Sequence, residues 1–371
     1  MKISPIIVGG LGALTLIECT YAHPGMATTV REIEQRVKRT VRPGFRLLIG
    51  DIKDGGSTPV GKSIARILLE QESGQSDETY TIPGALASAK CKADTCCVWA
   101  YVALDLTKLF RGPSGRCNEN ARTAIRLGFH DAGTWQEGLD FGGADGSIML
   151  AREEIGRADN KGLQNIVSIL RVLQLKYKPF GVGVADLIQF AAKHAVVTCP
   201  LGPRIRTFVG RKDSSRPSQN GLLPGVTDSA DSLIALFRAK TISPHSLVAL
   251  LGAHTTSTQT TVDPRRPGAP QDGTPGVWDT LFYNQTLGLG PMPKNVLRFQ
   301  SDVVLAKDPR TAGEWERFSM GSDAQHHWNE DYAYSYIRVS MLGVGNVNKL
   351  VECTKVLPPA KKGFQGAGEL L

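Results

Sequence analysis

Beyond residue 90, hydrophobic positions recur at three- and four-residue intervals, the spacing that lines one face of a helix. Five runs carry it: 96–110 (CCVWAYVALDLTKLF), 165–177 (NIVSILRVLQLKY), 184–197 (VADLIQFAAKHAVV), 231–240 (DSLIALFRAK) and 244–255 (PHSLVALLGAHT). Gly/Pro stretches separate these runs, and neither an internal repeat nor a set of alternating strands is visible. The pattern predicts a mostly α protein. Two earlier regions differ. An apolar run from Pro5 to Ile17, behind Lys2, is too short to span a bilayer and leads into Thr20-Tyr21-Ala22; it reads as a secretory signal peptide cleaved near Ala22. Residues 23–90 start basic, lack cysteine, contain the dibasic Lys38-Arg39 and end near the polar linker-like QESGQSDETYTIPG. The expected organisation is a signal peptide at 1–22, an N-terminal extension of unknown role at 23–90, a main domain at 91–358 and a tail at 359–371.

Charge and cysteine change the picture only modestly. The chain has 371 residues and a net charge of +8, but seven basic residues crowd between Arg31 and Lys53 and no nucleic-acid motif accompanies them. The charge is therefore read as local, with no nucleic-acid partner. No later segment has the length and apolarity of a membrane anchor. Cys19 falls in the signal region, leaving Cys91, Cys96, Cys97, Cys117, Cys199 and Cys353, an even set that implies disulfides in an exported chain. Asn284-Gln285-Thr286 is a glycosylation sequon. The stretch GSTPVGKS, Gly56 to Ser63, fits the phosphate-loop pattern letter for letter. It lacks room for a parallel sheet and a later strand ending in a magnesium-holding aspartate, so it reads as a turn capping a surface helix.

Chemistry concentrates in AIRLGFHDAGTW, residues 124–135. On a helix, Arg126 and His130 stand at i and i+4 on one face, while Asp131 points about 100° away. Alone, this trio reads more readily as a partly exposed helix end with a stray ion pair than as an active site. Further on come GGADGSI, LLGAHTT, QDGTPGVWDT and RFQSDVVLAKDP.

Together and in this order, these motifs resemble the haem peroxidases of the plant, fungal and bacterial superfamily, most nearly the secreted fungal class II enzymes. The resemblance covers residues 91–358. It implies two helical halves sandwiching haem b and two Ca2+ ions, in a secreted monomer. Such an enzyme reduces hydrogen peroxide and takes single electrons from phenolic or lignin-related aromatic donors at the haem edge.

The resemblance assigns His130 as the distal acid–base group, Arg126 as the stabiliser of charge on the leaving oxygen, and Phe129 as a haem contact. Asn160, backed by Glu154, orients His130. His254 is the axial iron ligand, with Asp302 on its far nitrogen. Asp131, the Gly143 carbonyl, Asp145 and Ser147 match a distal calcium site. Thr255, Asp272, Thr274, the Val277 carbonyl and Asp279 match a proximal one. The implied disulfides are Cys91–Cys97, Cys96–Cys353 and Cys117–Cys199. A fourth bridge common in class II has no counterpart, because Gly313 stands where its cysteine falls.

Specialised donor sites are missing. The three carboxylate positions of manganese peroxidases are Glu119, Thr123 and Thr260, and the exposed tryptophan of lignin peroxidases is Ala249. Gln271 replaces an aromatic before the first proximal calcium aspartate. A generic phenol-oxidising peroxidase is expected. An Mn(II)-oxidising enzyme using Glu119 is the first alternative, and a non-catalytic extracellular protein that binds haem and calcium is the second. Trp99, Trp135, Trp278, Trp315 and Trp328 are read as packing residues. His194, His245, His326 and His327 are read as structural.

Overall fold

A computed structural model describes residues 48–363. The proposed signal peptide, Cys19 and the Lys38-Arg39 pair lie outside the described residues. Helices dominate: α1 (Pro59–Leu68), α2 (Ala89–Lys92), α3 (Thr95–Phe110), α4 (Glu119–Ala132), α5 (Ser147–Leu150), α6 (Arg152–Ile155), α7 (Gln164–Tyr177), α8 (Val184–Thr198), α9 (Ala230–Ala239), α10 (Pro244–Leu251), α11 (Leu281–Leu287), α12 (Gln300–Lys307), α13 (Ala312–Ser319) and α14 (Ala324–Val339). The strands among the described residues are short antiparallel pairs: β1 (Phe208–Val209) with β4 (Val351–Glu352), and β2 (Thr258–Gln259) with β3 (Ala269–Pro270).

Two helix pairs organise the core. In the first, α4 lies along α8, with α3 and α7 beside them; in the second, α10 lies along α14, with α9, α11, α12 and α13 around them. Every residue of α8 is buried, including Asp186, Lys193 and His194. Such groups are tolerated inside only when partnered. Asp186 pairs with Arg211 at 3.0 Å, and Lys193 donates to the Arg206 carbonyl at 2.9 Å. Gly128 lets α4 approach closely, since a Cβ there would lie 2.1 Å from the Tyr336 hydroxyl and 2.5 Å from the Ala192 methyl.

Four of the five sequence-predicted helices appear within a residue or two of expectation, and the fifth is cut short. The α10 helix stops at Leu251, and Gly252–Thr256 continues as a 3-10 turn. Gly252 lies against the Trp328 indole, where a Cβ would sit 2.3 Å from the ring. His254 is therefore carried on the tighter turn.

The boundary expected at residue 90 does not match a structural one. Ile49, Ile52, Ile64, Ile67 and Leu68 are buried in the common core, and α1 packs on α14 and on the 3-10 turn Val347–Lys349. GSTPVGKS does cap a helix, but the helix starts inside the motif and turns one face into the core, with Lys62 and Arg66 left exposed. Thr58 caps α1 through Gly61 N (3.1 Å), the helix starts at Pro59, and Gly61 and Ser63 are buried within it. The Ser63 hydroxyl is taken by Glu72 (2.5 Å), so the segment offers no phosphate cradle.

Three disulfides are present: Cys91–Cys97 closes a local loop, while Cys96–Cys353 and Cys117–Cys199 tie distant parts of the chain together. The last joins the approach to α4 with the end of α8, clamping one end of the central pair. Among the described residues no single helix is long and apolar enough to cross a membrane. The sequon lies on α11, where Asn284 is partly buried and the Thr286 hydroxyl donates to the Phe282 carbonyl at 2.8 Å.

Candidate active site

The α4 helix places Arg126 and His130 one turn apart, as the spacing predicts. Arg126 Nε donates to His130 Nε2 at 3.2 Å, so that nitrogen carries a lone pair rather than a proton. The opposite ring nitrogen, Nδ1, lies 2.9 Å from Asn160 Oδ1, an acceptor, and so holds the proton. Asn160 is oriented in turn: its Nδ2 donates to the Glu154 main-chain carbonyl at 2.7 Å. Arg126 is fixed by the carbonyls of Lys161 (2.7 Å) and Asp159 (2.8 Å). Burial and the neighbouring guanidinium push His130 down to about 3, against the smaller opposing effect of Asn160, so the ring is neutral at ordinary pH.

Glu154 supports Asn160 differently from expectation. Its carbonyl touches Asn160, while its carboxylate accepts from Ser218 N (2.9 Å) and Ser218 Oγ (2.7 Å). Ser218 lies 64 positions away and carries no recognisable motif, so sequence reasoning missed it.

On the other side, His254 Nδ1 lies 3.0 Å from Asp302 Oδ2 on α12. Phe282 and Phe299 meet the imidazole edge-on at 5.6 and 5.7 Å. Asp302 is fully buried, whereas the His254 side chain keeps 31% exposure, leaving Nε2 open. Phe129, beside His130, stacks on Phe237 of α9 at 5.9 Å. The α9 helix packs on α10, which leads to His254, and on α12, which bears Asp302.

Each of the two oxygen-rich clusters adjoins one of these histidines. Asp131 Oδ2 accepts from Gly146 N at 3.2 Å; its Oδ1 and Ser147 Oγ are buried without hydrogen-bond partners. Asp145 accepts from Ser147 N at 2.9 Å, and its own amide donates to the Gly143 carbonyl. Burial, with the charges of Asp145 and Glu154, lifts the Asp131 carboxyl well above its usual range.

At the second cluster Thr255 Oγ1 donates to Asp272, and it also lies 3.5 Å from both the Val277 carbonyl and Asp279. Thr274 reaches Asp279 at 2.9 Å. Burial and mutual repulsion raise Asp272, and burial raises Asp279. Buried carboxylates under this repulsion suit an oxygen-seeking cation. Gln271, which the sequence left unplaced, is buried and accepts from the Ser257 hydroxyl, tying the second cluster to the turn that bears His254. The pairing of β2 with β3 closes the same loop.

All the candidate residues thus gather around two histidine sites. The candidate manganese positions do not form a carboxylate set: the Thr123 hydroxyl donates to the Glu119 carbonyl at 2.8 Å, and Thr260 is exposed. Trp278, Trp315 and Trp328 are fully buried, Trp99 is nearly so, and Trp135 is partly buried.

The donor set at His254 fits a haem iron. A buried carboxylate on Nδ1 fixes the ring and increases the basicity of the open Nε2. Comparison with known proteins agrees. The family model described as Peroxidase matches residues 103–321. A Peroxidase from Arthromyces ramosus is 31% identical, covering 82% of this chain and 86% of its own. Ligninase LG5 from Phanerodontia chrysosporium is 33% identical (72% and 76%), and Manganese peroxidase 3 from Phlebia radiata is 33% identical (72% and 78%). Matching motifs, a helical fold with a carboxylate-backed histidine, and relatives aligned over most of their length converge: this chain belongs to the peroxidase family and is a haem-dependent oxidoreductase.

Proposed function

We propose that the protein is an exported, monomeric peroxidase that reduces hydrogen peroxide and oxidises phenolic or lignin-related aromatic donors by one-electron steps. In this reading His254 Nε2 holds the iron of haem b, which supplies, when bound, a peroxide-binding metal and its oxidising equivalents. His130 Nε2 accepts a proton from peroxide and returns it to the leaving oxygen. Arg126 stabilises the negative charge that develops there. Asn160 and the Glu154 carbonyl keep the lone pair on Nε2, and Phe129 packs beside the haem. Asp302 keeps His254 basic.

Asp131, Gly143, Asp145 and Ser147 would hold one Ca2+; Thr255, Asp272, Thr274, Val277 and Asp279 would hold the other. Each ion then pins the backbone beside one histidine. The three disulfides, the signal-like N-terminus and the Asn284 sequon support export.

A single observation carries the proposal: the two histidines have opposite partners, an amide oxygen and a guanidinium for His130 and a carboxylate for His254. Neither the Mn(II) alternative nor the non-catalytic one gains an observation of its own. The test is peroxide-dependent oxidation of a phenolic dye by the haem-loaded protein. A Soret band and turnover are expected, with turnover falling about 10²–10⁴-fold in His130→Ala while the band remains. Unchanged turnover in that variant would refute the mechanism.

A further inference from the structure

Trp278 and Trp328 are fully buried and stack face to face, with ring centroids 4.8 Å apart and planes 11° from parallel. One end of the pair lies against the turn that bears His254. Trp328 Nε1 donates to the Ala249 carbonyl at 2.9 Å, and its indole fills the space beside Gly252 that a Cβ would need. The other end lies behind the protein surface. Trp278 Nε1 donates to Asn329 Oδ1 at 3.1 Å, and Gln325 Nε2 reaches both the Trp278 carbonyl and Asn329 Oδ1 at 3.1 Å. Gln325 and Asn329 form part of the wall of an open groove of about 960 Å³.

From this layout we propose a second donor-oxidation site, in which the groove binds an aromatic acid whose electron reaches the haem side through Trp278 and Trp328. It rests on the peroxidase reading above and adds to the haem-edge site. The groove's chemistry selects the donor. Four cations, Arg204, Lys355, Lys361 and Lys362, line it against one carboxylate, Asp77. Arg204 is held by the carbonyls of Ser76 and Glu78, and Lys361 by those of Gly115 and Thr198. Lys355 and Lys362 are therefore the cations placed to meet a ligand. The Lys355 amine stands 4.9 Å from the centre of the Tyr80 ring, and Leu104, 52% exposed, adds an apolar wall. Positive charge over aromatic and apolar walls suits a phenol that carries a carboxylate.

The transfer balances. The phenolic acid gives one electron to an oxidised Trp278, loses its hydroxyl proton to water and leaves as a phenoxyl radical. Trp278 has given its own electron to an oxidised Trp328, and Trp328 has given one toward the haem. Two such electrons with two protons complete the reduction of one hydrogen peroxide to two waters, with the oxidising equivalents supplied by the haem. Stacked indoles suit this role, because the electron-rich face of one ring stabilises positive charge on the other. Each oxidised indole also keeps its Nε1 proton on a fixed oxygen, that of Asn329 or Ala249. Tyr283, 5.9 Å from Trp328, is less suited: its hydroxyl donates to the Val248 carbonyl at 2.8 Å, which cannot take the proton that an oxidised tyrosine gives up.

The test mixes the haem-loaded chain with peroxide in the absence of donor and examines the freeze-quenched sample by EPR. A tryptophan radical is expected, with a signal that narrows when the protein carries ring-deuterated tryptophan. The signal should disappear in Trp278→Phe with Trp328→Phe, weaken in Asn329→Leu, which leaves both rings in place, and persist in Trp99→Phe. Soret spectra and Tm verify that each variant is folded. With ferulate as donor, kcat/KM should fall about 10-fold in Lys355→Gln with Lys362→Gln, while the uncharged methyl ester, still served at the haem edge, is oxidised as before. Absence of a tryptophan radical in the unmutated chain, or a signal unchanged in the folded double tryptophan variant, would overturn the relay. Equal effects of the lysine changes on ferulate and its ester would overturn the groove. Failure of the unmutated chain to oxidise either donor would overturn the peroxidase reading itself, and this site with it.

Discussion

His130 and His254 are the same residue type facing different company. His130 sits between a neutral amide oxygen, which takes its Nδ1 proton, and a guanidinium that donates to its outer nitrogen, so that nitrogen stays unprotonated. His254 is backed by a buried carboxylate and flanked by two phenylalanine edges. The first arrangement suits a base that takes and returns a proton. The second suits a strongly donating metal ligand. An imidazole's role is set by the atom on its far nitrogen.

Exchanging those partners should break the contrast, and the distal exchange should have the largest effect. Asn160→Asp places a carboxylate on His130 Nδ1 and reverses the downward shift to about 3. The ring then holds a proton near neutrality. The rate of reaction with peroxide should fall about 10–100-fold at pH 6 and recover as pH rises, as stopped-flow measurement against pH would establish. A uniform loss at all pH values would point to a structural role instead.

The reciprocal exchange, Asp302→Asn, removes the charge behind His254. The haem Fe(III)/Fe(II) potential should rise and the peroxide rate should fall about 10-fold, measured by redox titration and stopped flow. An unchanged potential would contradict the proposed ligand role.

Calcium removal should affect both sides more gently. Stripping Ca2+, or Asp272→Asn, should lower Tm by several degrees and slowly lower activity, with Ca2+ restoring both only in the unmutated chain. Thermal scans with and without a calcium chelator would measure this.

His194 sharpens the contrast from outside the site. Burial pushes it down to about 3, with the Thr107 and Thr198 hydroxyls on its ring nitrogens and the Phe110 and Phe190 rings beside it. Its folded pKa is below the unfolded value of about 6.5, so its contribution to stability is complete above that pH and is lost as pH falls toward 3. Urea unfolding between pH 7 and pH 4 should show a shallower pH dependence in His194→Gln, the smallest of these effects.

Much of this was legible before the fold. The i, i+4 spacing of Arg126 and His130 put both on one helical face. The Asp-rich strings beside His130 and His254 marked the two oxygen clusters. The support of Asn160 by a carbonyl rather than a carboxylate was not legible, because main-chain groups leave no residue-type signature. Nor was Ser218 beneath Glu154, since sequence carries no signal for a contact across 64 positions. Residues 23–90 looked separable for their basic start, lack of cysteine and linker-like end, yet the isoleucines between 49 and 67 complete the core.

Local sequence alone determined where helices form and which side chains share a face, because periodicity and capping act within a few residues. The tertiary structure alone decided which histidine meets an amide and which a carboxylate, and stacked Trp278 on Trp328. Those outcomes depend on how separate helices pack. Packing is settled by burial summed over the whole chain, and no short stretch encodes that sum.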